Sequence, residues 1–325
     1  MYVLPELLLQ LRDEKKISED THMFIDVICF SDSENKFLNK YLIENLETET
    51  VDIPSVFIRR TTFGYVKDDC VINHICYLNE DPECCGIIVL RNTIPEYLDA
   101  NALYKAIKPN KNVMFETDSY INQYKISEGD PDLRKVIPHD PIAHAAIFEL
   151  NMHISNFGDN KENEDDFCDR ILTAGKSEYR PFKKVCIYGD KENIHCQYLA
   201  ISLMKRGVSH LVFVNEDNKE ELKDSSLIIV LTDKENVLNL DDVAEDASVI
   251  DISFIKQHEE PLLNFTKPID GGFDFDNGKK TDKQYCCSAS STFKNITYQI
   301  VVNSVCSYSY ESCKIGEHSK TGVIK

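Results

Sequence analysis

Short runs of apolar, β-branched residues alternate along this chain with segments whose apolar positions recur at helical spacing. The runs are MFIDVICF at 23, VFIRR at 56, GIIVL at 86, KVCIYG at 184, HLVFV at 210, LIIVL at 227 and SVIDIS at 248. Strands this apolar, with helices between them, predict a parallel sheet covered on both faces. The helical spacing predicts helices over 36–47, 99–107, 140–153, 194–206 and 295–306. The opening MYVLPELLLQLRDEKK predicts one more amphipathic helix, packed on the body, because its apolar run is too short for a secretory leader or a membrane span. GDNKENEDD at 158–166 has nothing to bury and predicts an exposed acidic loop. The tail after Cys306 is polar and is expected to be loosely ordered.

The second half carries the clearest local pattern. KKVCIYGDKENIHCQYLAISLMKRGVSHLVFVNED reads as strand, turn at Gly189, amphipathic helix, short loop at Gly207, and a second strand ending in Glu216 and Asp217. In a dinucleotide fold the first turn places phosphate near a helix N-terminus, and an acid ending the next strand bonds the ribose hydroxyls. The full G-x-G-x-x-G is absent, so a βαβ unit without a nucleotide is the other reading of the same residues.

Composition narrows the class. The 325 residues, 42% of them hydrophobic, suffice for two α/β domains or one large one with a full core. A formal charge of −19 argues against a duplex nucleic-acid partner, since phosphate neutralisation needs Lys and Arg in excess. An anionic ligand would need a local basic pocket. The twelve cysteines are scattered, with adjacent pairs at Cys84-Cys85 and Cys286-Cys287. They show no CxxC or Cys/His ligand spacing, which predicts no metal site and a reduced, cytoplasmic chain.

The order of segments resembles the methylenetetrahydrofolate dehydrogenase/cyclohydrolase family from about residue 23 to about residue 306. GIIVLRNTIP, a helix, and AIKPNKNVMF follow the family's G-I-x-V-Q-L-P-L-P, helix, and A-I-x-P-x-K-D-V-D-G. PHDP, Pro138 to Pro141, stands for P-C-T-P, and GDKENIHCQ, Gly189 to Gln197, for the cofactor turn G-R-S-x-x-V-G-x-P. VIDIS stands for V-I-D-x-G, GGFDFD (Gly271 to Asp276) for G-D-V-x-x-D, and CSASSTFKNIT, ending at Thr297, for T-P-V-P-G-G-V-G-P-M-T.

This resemblance implies an α/β fold of two domains. The N-terminal folate domain would span 1–145 and be completed by 295–325, with a C-terminal helix returning to it. A Rossmann-like, doubly wound dinucleotide domain would span 146–294. The implied activity is hydride transfer from 5,10-methylenetetrahydrofolate to a nicotinamide cofactor, followed in many members by hydrolysis of the methenyl product. A tetrahydrofolate derivative is the implied partner, with no nucleic acid and no membrane, and a homodimer is the implied assembly.

Residue by residue, SENKFLNKYL places Lys40 at the family's lysine, which assists the cyclohydrolase step, and Lys36 at its tyrosine. On residue type alone, Lys40 is either that group or a solvated lysine on a helix face. The strand Gln becomes Leu90 and the turn Asp becomes Met114, so two polar contacts to the substrate centre are apolar here. Cofactor contacts are implied at Asp140, Gly189, Asp190, Lys191, Glu216, Asp217, Ile252 and Thr297. Asp190 replaces the arginine that favours a 2′-phosphate, and a carboxylate there favours NAD over NADP. Phe293 and Lys294 replace part of the glycine-rich loop and would narrow the nicotinamide end. Asp140 is either a helix N-cap before Pro141 or the orienting partner of His139 in an acid/base pair, and Thr297 is either a cofactor contact or a cap. A catalytically degenerate scaffold of the same fold is the alternative to an active enzyme.

Overall fold

The computed structural model describes residues 22–33, 36–51, 55–117, 140–157, 184–205, 207–253, 271–275, 277–278, 286–289 and 292–305, without side chains at 36–37 and 151–157. The opening segment, the acidic stretch 158–166, His139 and the tail after Cys306 lie outside the described residues. The chain divides into two compact units, residues 1–139 with 297–325, and residues 140–296.

The first unit is built on three parallel strands, β1 (Met23–Phe30), β2 (Val56–Phe63) and β3 (Cys84–Val89), in the order β2-β1-β3. Three helices accompany them, α1 (Lys36–Thr50), α2 (Asp68–Glu80) and α3 (Ala100–Ala106). The β1 and β3 runs are buried along almost their whole length, the signature of strands covered on both faces. Ile28, Phe30, Ile87 and Val89 from the sheet pack with Val71, Ile75 and Leu78 of α2 and Leu103 and Tyr104 of α3. The α2 helix is absent from the sequence reading. It carries two acids, Asp68 and Asp69, in its first turn, which suits the positive end of its dipole. Lys111, 2% exposed, closes its other end by donating to the carbonyls of Leu78 and Asp81 at 2.8 and 2.6 Å. Asp99 caps α3, accepting from the amides of Asn101 and Ala102.

The second unit opens with helix α4 (Pro141–Phe157) and continues through β4 (Val185–Tyr188), α5 (Ile194–Lys205), β5 (Leu211–Val214), a 3₁₀ segment (Glu216–Asp224) and β6 (Leu227–Val230). Short strands follow, β7 (Leu238–Asn239), β8 (Ser248–Asp251), β9 (Phe273–Asp274) and β10 (Cys286–Cys287). The five-stranded sheet is parallel, in the order β10-β8-β6-β4-β5, and β7 pairs with β9 separately. Because β5 and β6 flank β4 on opposite sides, the chain reverses its winding direction there. In a doubly wound sheet that reversal opens a crevice beyond the strand ends, between β4 and β6.

The last helix, α6, is described continuously over 292–305, and the backbone is already helical at Ala289, ahead of the 295 that the spacing predicts. Its first turn is fixed in the second unit, where the Thr292 hydroxyl donates to the Asp251 carbonyl at 2.9 Å. Its later turns belong to the first unit, where Asn303 donates to the Val113 carbonyl at 3.0 Å.

Candidate functional site

Tyr188 ends β4, pairing with Val214 on one side and Val230 on the other, and Gly189 follows at the reversal. The Gly189 amide donates to the Val214 carbonyl at 3.1 Å. A Cβ on Gly189 would lie 2.4 Å from the carbonyl oxygen of Leu231, so the residue is required here by close approach of the neighbouring strand end.

The turn beyond it is held by its own side chains. Asp190 accepts from the Glu192 amide, and Asn193 caps α5 by accepting from the amides of His195 and Cys196 at 2.9 and 3.4 Å. Asp190 and Lys191 are exposed. At the end of β5, Asn215 caps the 3₁₀ segment, and Glu216 and Asp217 are exposed beside it. The hydroxyl of Tyr188, itself 5% exposed, donates to Oε1 of Glu216 at 2.6 Å. Burial and the Glu216 carboxylate together raise the Tyr188 pKa well above the usual phenol range.

Asp140 is a helix cap. Its Oδ1 accepts from the Ala143 amide at 2.7 Å, and its Oδ2 receives Nδ1 of His195 at 2.6 Å, both side chains being buried. His195 thus meets Asp140, a pairing absent from the sequence reading, while His139 lies outside the described residues. The signal was available, because His195 stands where the cofactor-turn pattern has its second glycine.

Asp251, at the end of β8, joins two of the sequence motifs. Its oxygens accept from the amides of Ser253 and Phe273 at 2.9 and 3.0 Å, and a Cβ on Gly271 would lie 2.0 Å from Oδ2. Desolvation outweighs these donors and lifts the Asp251 pKa from 3.8 to about 6. Ile252 is fully buried, its amide on the Val230 carbonyl at 2.9 Å. Thr297 is buried within α6, which removes the capping alternative, since a cap precedes the first helical residue. Phe293 is buried as part of that helix.

In the first unit, Lys36 opens α1 and its side chain lies outside the description. Lys40 is largely solvated, with Glu44 at i+4 3.7 Å away. Leu90 and Met114 are each 1% exposed and belong to the core. Beside Met114, Phe115 adopts φ 62° although it is buried and not glycine. By the resemblance set out above it stands at the glycine of D-V-D-G, and this φ is one that glycine adopts freely. The left-handed conformation costs about 1–2 kcal/mol at a non-glycine residue. Among the described residues, no three His, Cys, Asp or Glu side chains group as a metal site, and no helix is long and apolar enough to cross a membrane.

No protein-family model matches the chain. It is 29% identical over 234 residues to the bifunctional protein FolD of Mycoplasma mycoides, covering 71% of this chain and 67% of that protein. Its fold matches the Trypanosoma brucei N5,N10-methylenetetrahydrofolate dehydrogenase-cyclohydrolase, solved with NADP and an inhibitor. That match has a TM-score of 0.65 at 15% identity and covers 94% of this chain and 92% of that one.

The chain resembles the methylenetetrahydrofolate dehydrogenase/cyclohydrolase family in sequence and shares its fold.

A similar fold match, TM-score 0.62 at 14% identity over 93% of this chain and 92% of the other, links it to the NAD-dependent 5,10-methylenetetrahydrofolate dehydrogenase of Saccharomyces cerevisiae. The fold is therefore shared with these enzymes at 14–15% sequence identity.

Proposed function

We propose that this protein is a methylenetetrahydrofolate dehydrogenase that uses NAD in preference to NADP. The observation that carries the reading is Gly189, packed against the Leu231 carbonyl where the sheet reverses, with the Glu216 carboxylate at the adjacent strand end. Likeness to FolD over more than two thirds of the chain supports the substrate class, a tetrahydrofolate derivative. These residues fit a dinucleotide: the Gly189–Asn193 turn and α5 would face the pyrophosphate, and Glu216 and Asp217 the ribose. A nicotinamide dinucleotide, when bound, accepts the hydride leaving the methylene carbon.

The preference for NAD rests on Asp190, Glu216 and Asp217, three exposed carboxylates that would repel a 2′-phosphate and accept from free hydroxyls. Lys40 would serve only the later hydrolysis of the methenyl product, since hydride transfer itself moves no proton. Cyclohydrolase activity is not part of the proposal, because Leu90 and Met114 offer no hydrogen bond to position Lys40 or the pterin. A homodimer in the cytoplasm is the proposed state, by likeness to the family and from the scattered spacing of the cysteines.

The burial of Leu90 and Met114 favours a second reading, a scaffold of the same fold without catalysis. Calorimetric titration with NAD and NADP, each with and without tetrahydrofolate, separates the two. NAD binding that tightens with folate is the expected result. Failure of both nucleotides to bind would overturn the dehydrogenase and leave the scaffold.

A further inference from the structure

We propose that Tyr188 is a positioning residue for cofactor choice, holding the Glu216 carboxylate where it reads a free ribose diol and excludes a phosphorylated one. The proposal rests on the dinucleotide reading above and deepens it.

Three observations converge on this residue. Tyr188 is the last residue of β4, adjacent to Gly189, so its backbone is fixed by pairing to both neighbouring strands at the reversal. Its ring is buried with Val214, Leu222, Val230 and Leu240, which leaves the hydroxyl little freedom. That hydroxyl donates to Oε1 of Glu216 at 2.6 Å, while Oε2 has no hydrogen-bond partner among the described residues.

An exposed glutamate ordinarily samples many rotamers, and ordering it on a ligand costs side-chain entropy. Tyr188 prepays that ordering by taking one oxygen and presenting the other. A diol donates to such a carboxylate, whereas a phosphate brings only negative charge to it. Asp242 is also near the Tyr188 hydroxyl, but Lys219 pairs with it at 3.3 Å, so Glu216 is the uncompensated charge of the pair.

The test is calorimetric titration of the full-length protein and its Tyr188→Phe, Glu216→Gln and doubly substituted variants with NAD and with NADP, circular dichroism checking the fold. Tyr188→Met, which also lacks the hydroxyl, replaces the Phe variant should that one not fold. Loss of a hydrogen bond to a carboxylate predicts a fall of about fivefold or more in the NAD-to-NADP affinity ratio for Tyr188→Phe. The double variant should fall no further than Glu216→Gln alone, because Tyr188 acts through Glu216. An unchanged ratio in Tyr188→Phe alongside a reduced one in Glu216→Gln would overturn the role of Tyr188 and leave the dinucleotide reading intact. Absence of binding by the unsubstituted protein would remove both.

Discussion

Arg59 and Asp26 face each other in register across β2 and β1, and the Arg59 Nε donates to Oδ2 of Asp26 at 2.5 Å. Asp26 is completely buried in the middle of its strand, and Thr61 donates to the same oxygen at 3.0 Å. The Arg59 guanidinium lies over the Phe24 ring, 3.7 Å from its centroid, and its side chain remains 38% exposed. The two partners are therefore unequal, since one can reach solvent and the other cannot.

That inequality sets the outcome of breaking the pair. Arg59→Met strands a buried carboxylate and is expected to destabilise by about 3 kcal/mol. Asp26→Asn leaves Arg59 free to turn toward water and should destabilise by only about 1 kcal/mol. Urea midpoints of the two variants check the order; equal effects would mean that the carboxylate finds another partner.

Lys111 is expected to behave as a buried cap of α2. Lys111→Met keeps the aliphatic stem but withdraws both donors from the Leu78 and Asp81 carbonyls. A loss of about 1.5–3 kcal/mol follows for hydrogen bonds from a charged donor. Hydrogen exchange should locate the loosening in 78–81.

Asp140 serves two partners, and they can be separated. Asp140→Ala removes the cap of α4 and the acceptor of His195, for an expected loss of about 2–4 kcal/mol. Asp140→Ser retains a capping hydroxyl and should recover roughly 1 kcal/mol of that loss. Thermal unfolding of both variants reads the difference.

Asp251 makes stability depend on pH with a defined sign. Its folded pKa of about 6 lies above the ordinary 3.8, so the folded chain binds the extra proton between these values. Stability from this group is present below about pH 4 and is lost as pH rises through about 6, a change on the order of 3 kcal/mol. Asp251→Asn should lack that decline, so urea unfolding of both proteins from pH 4 to pH 7 should show their stabilities converging or crossing.

The strands that opened the reading are where the apolar runs placed them, because a strand covered on both faces must be apolar throughout and its sequence says so. The β4–α5–β5 unit was legible for the same reason, with Gly189 marking the turn. Helix α2 was not. DDCVINHICYLNE spaces its buried apolar residues at 71, 75 and 78 among polar ones, so its stripe is narrow, and the Pro82 stop signal after it is absent from the sequence reading. The spacing marks the final helix only from 295, because the small residues before Phe293 carry no apolar stripe, whereas in the structure Thr292 and Phe293 are helical and buried.

The site divides in the same way. The sequence by itself determined that this chain has two α/β halves, a glycine turn after β4, carboxylates at the end of β5, and apolar residues at 90 and 114. Only the tertiary structure decided that the Tyr188 hydroxyl reaches Glu216, 28 residues away, that Asp140 meets His195 across 55 residues, and that Phe115 takes a φ that glycine adopts freely. Periodicity reports each element's own buried face, which is local. The partner of a polar group depends on strand register and on which way each crossover winds, and these are fixed only when the whole sheet assembles.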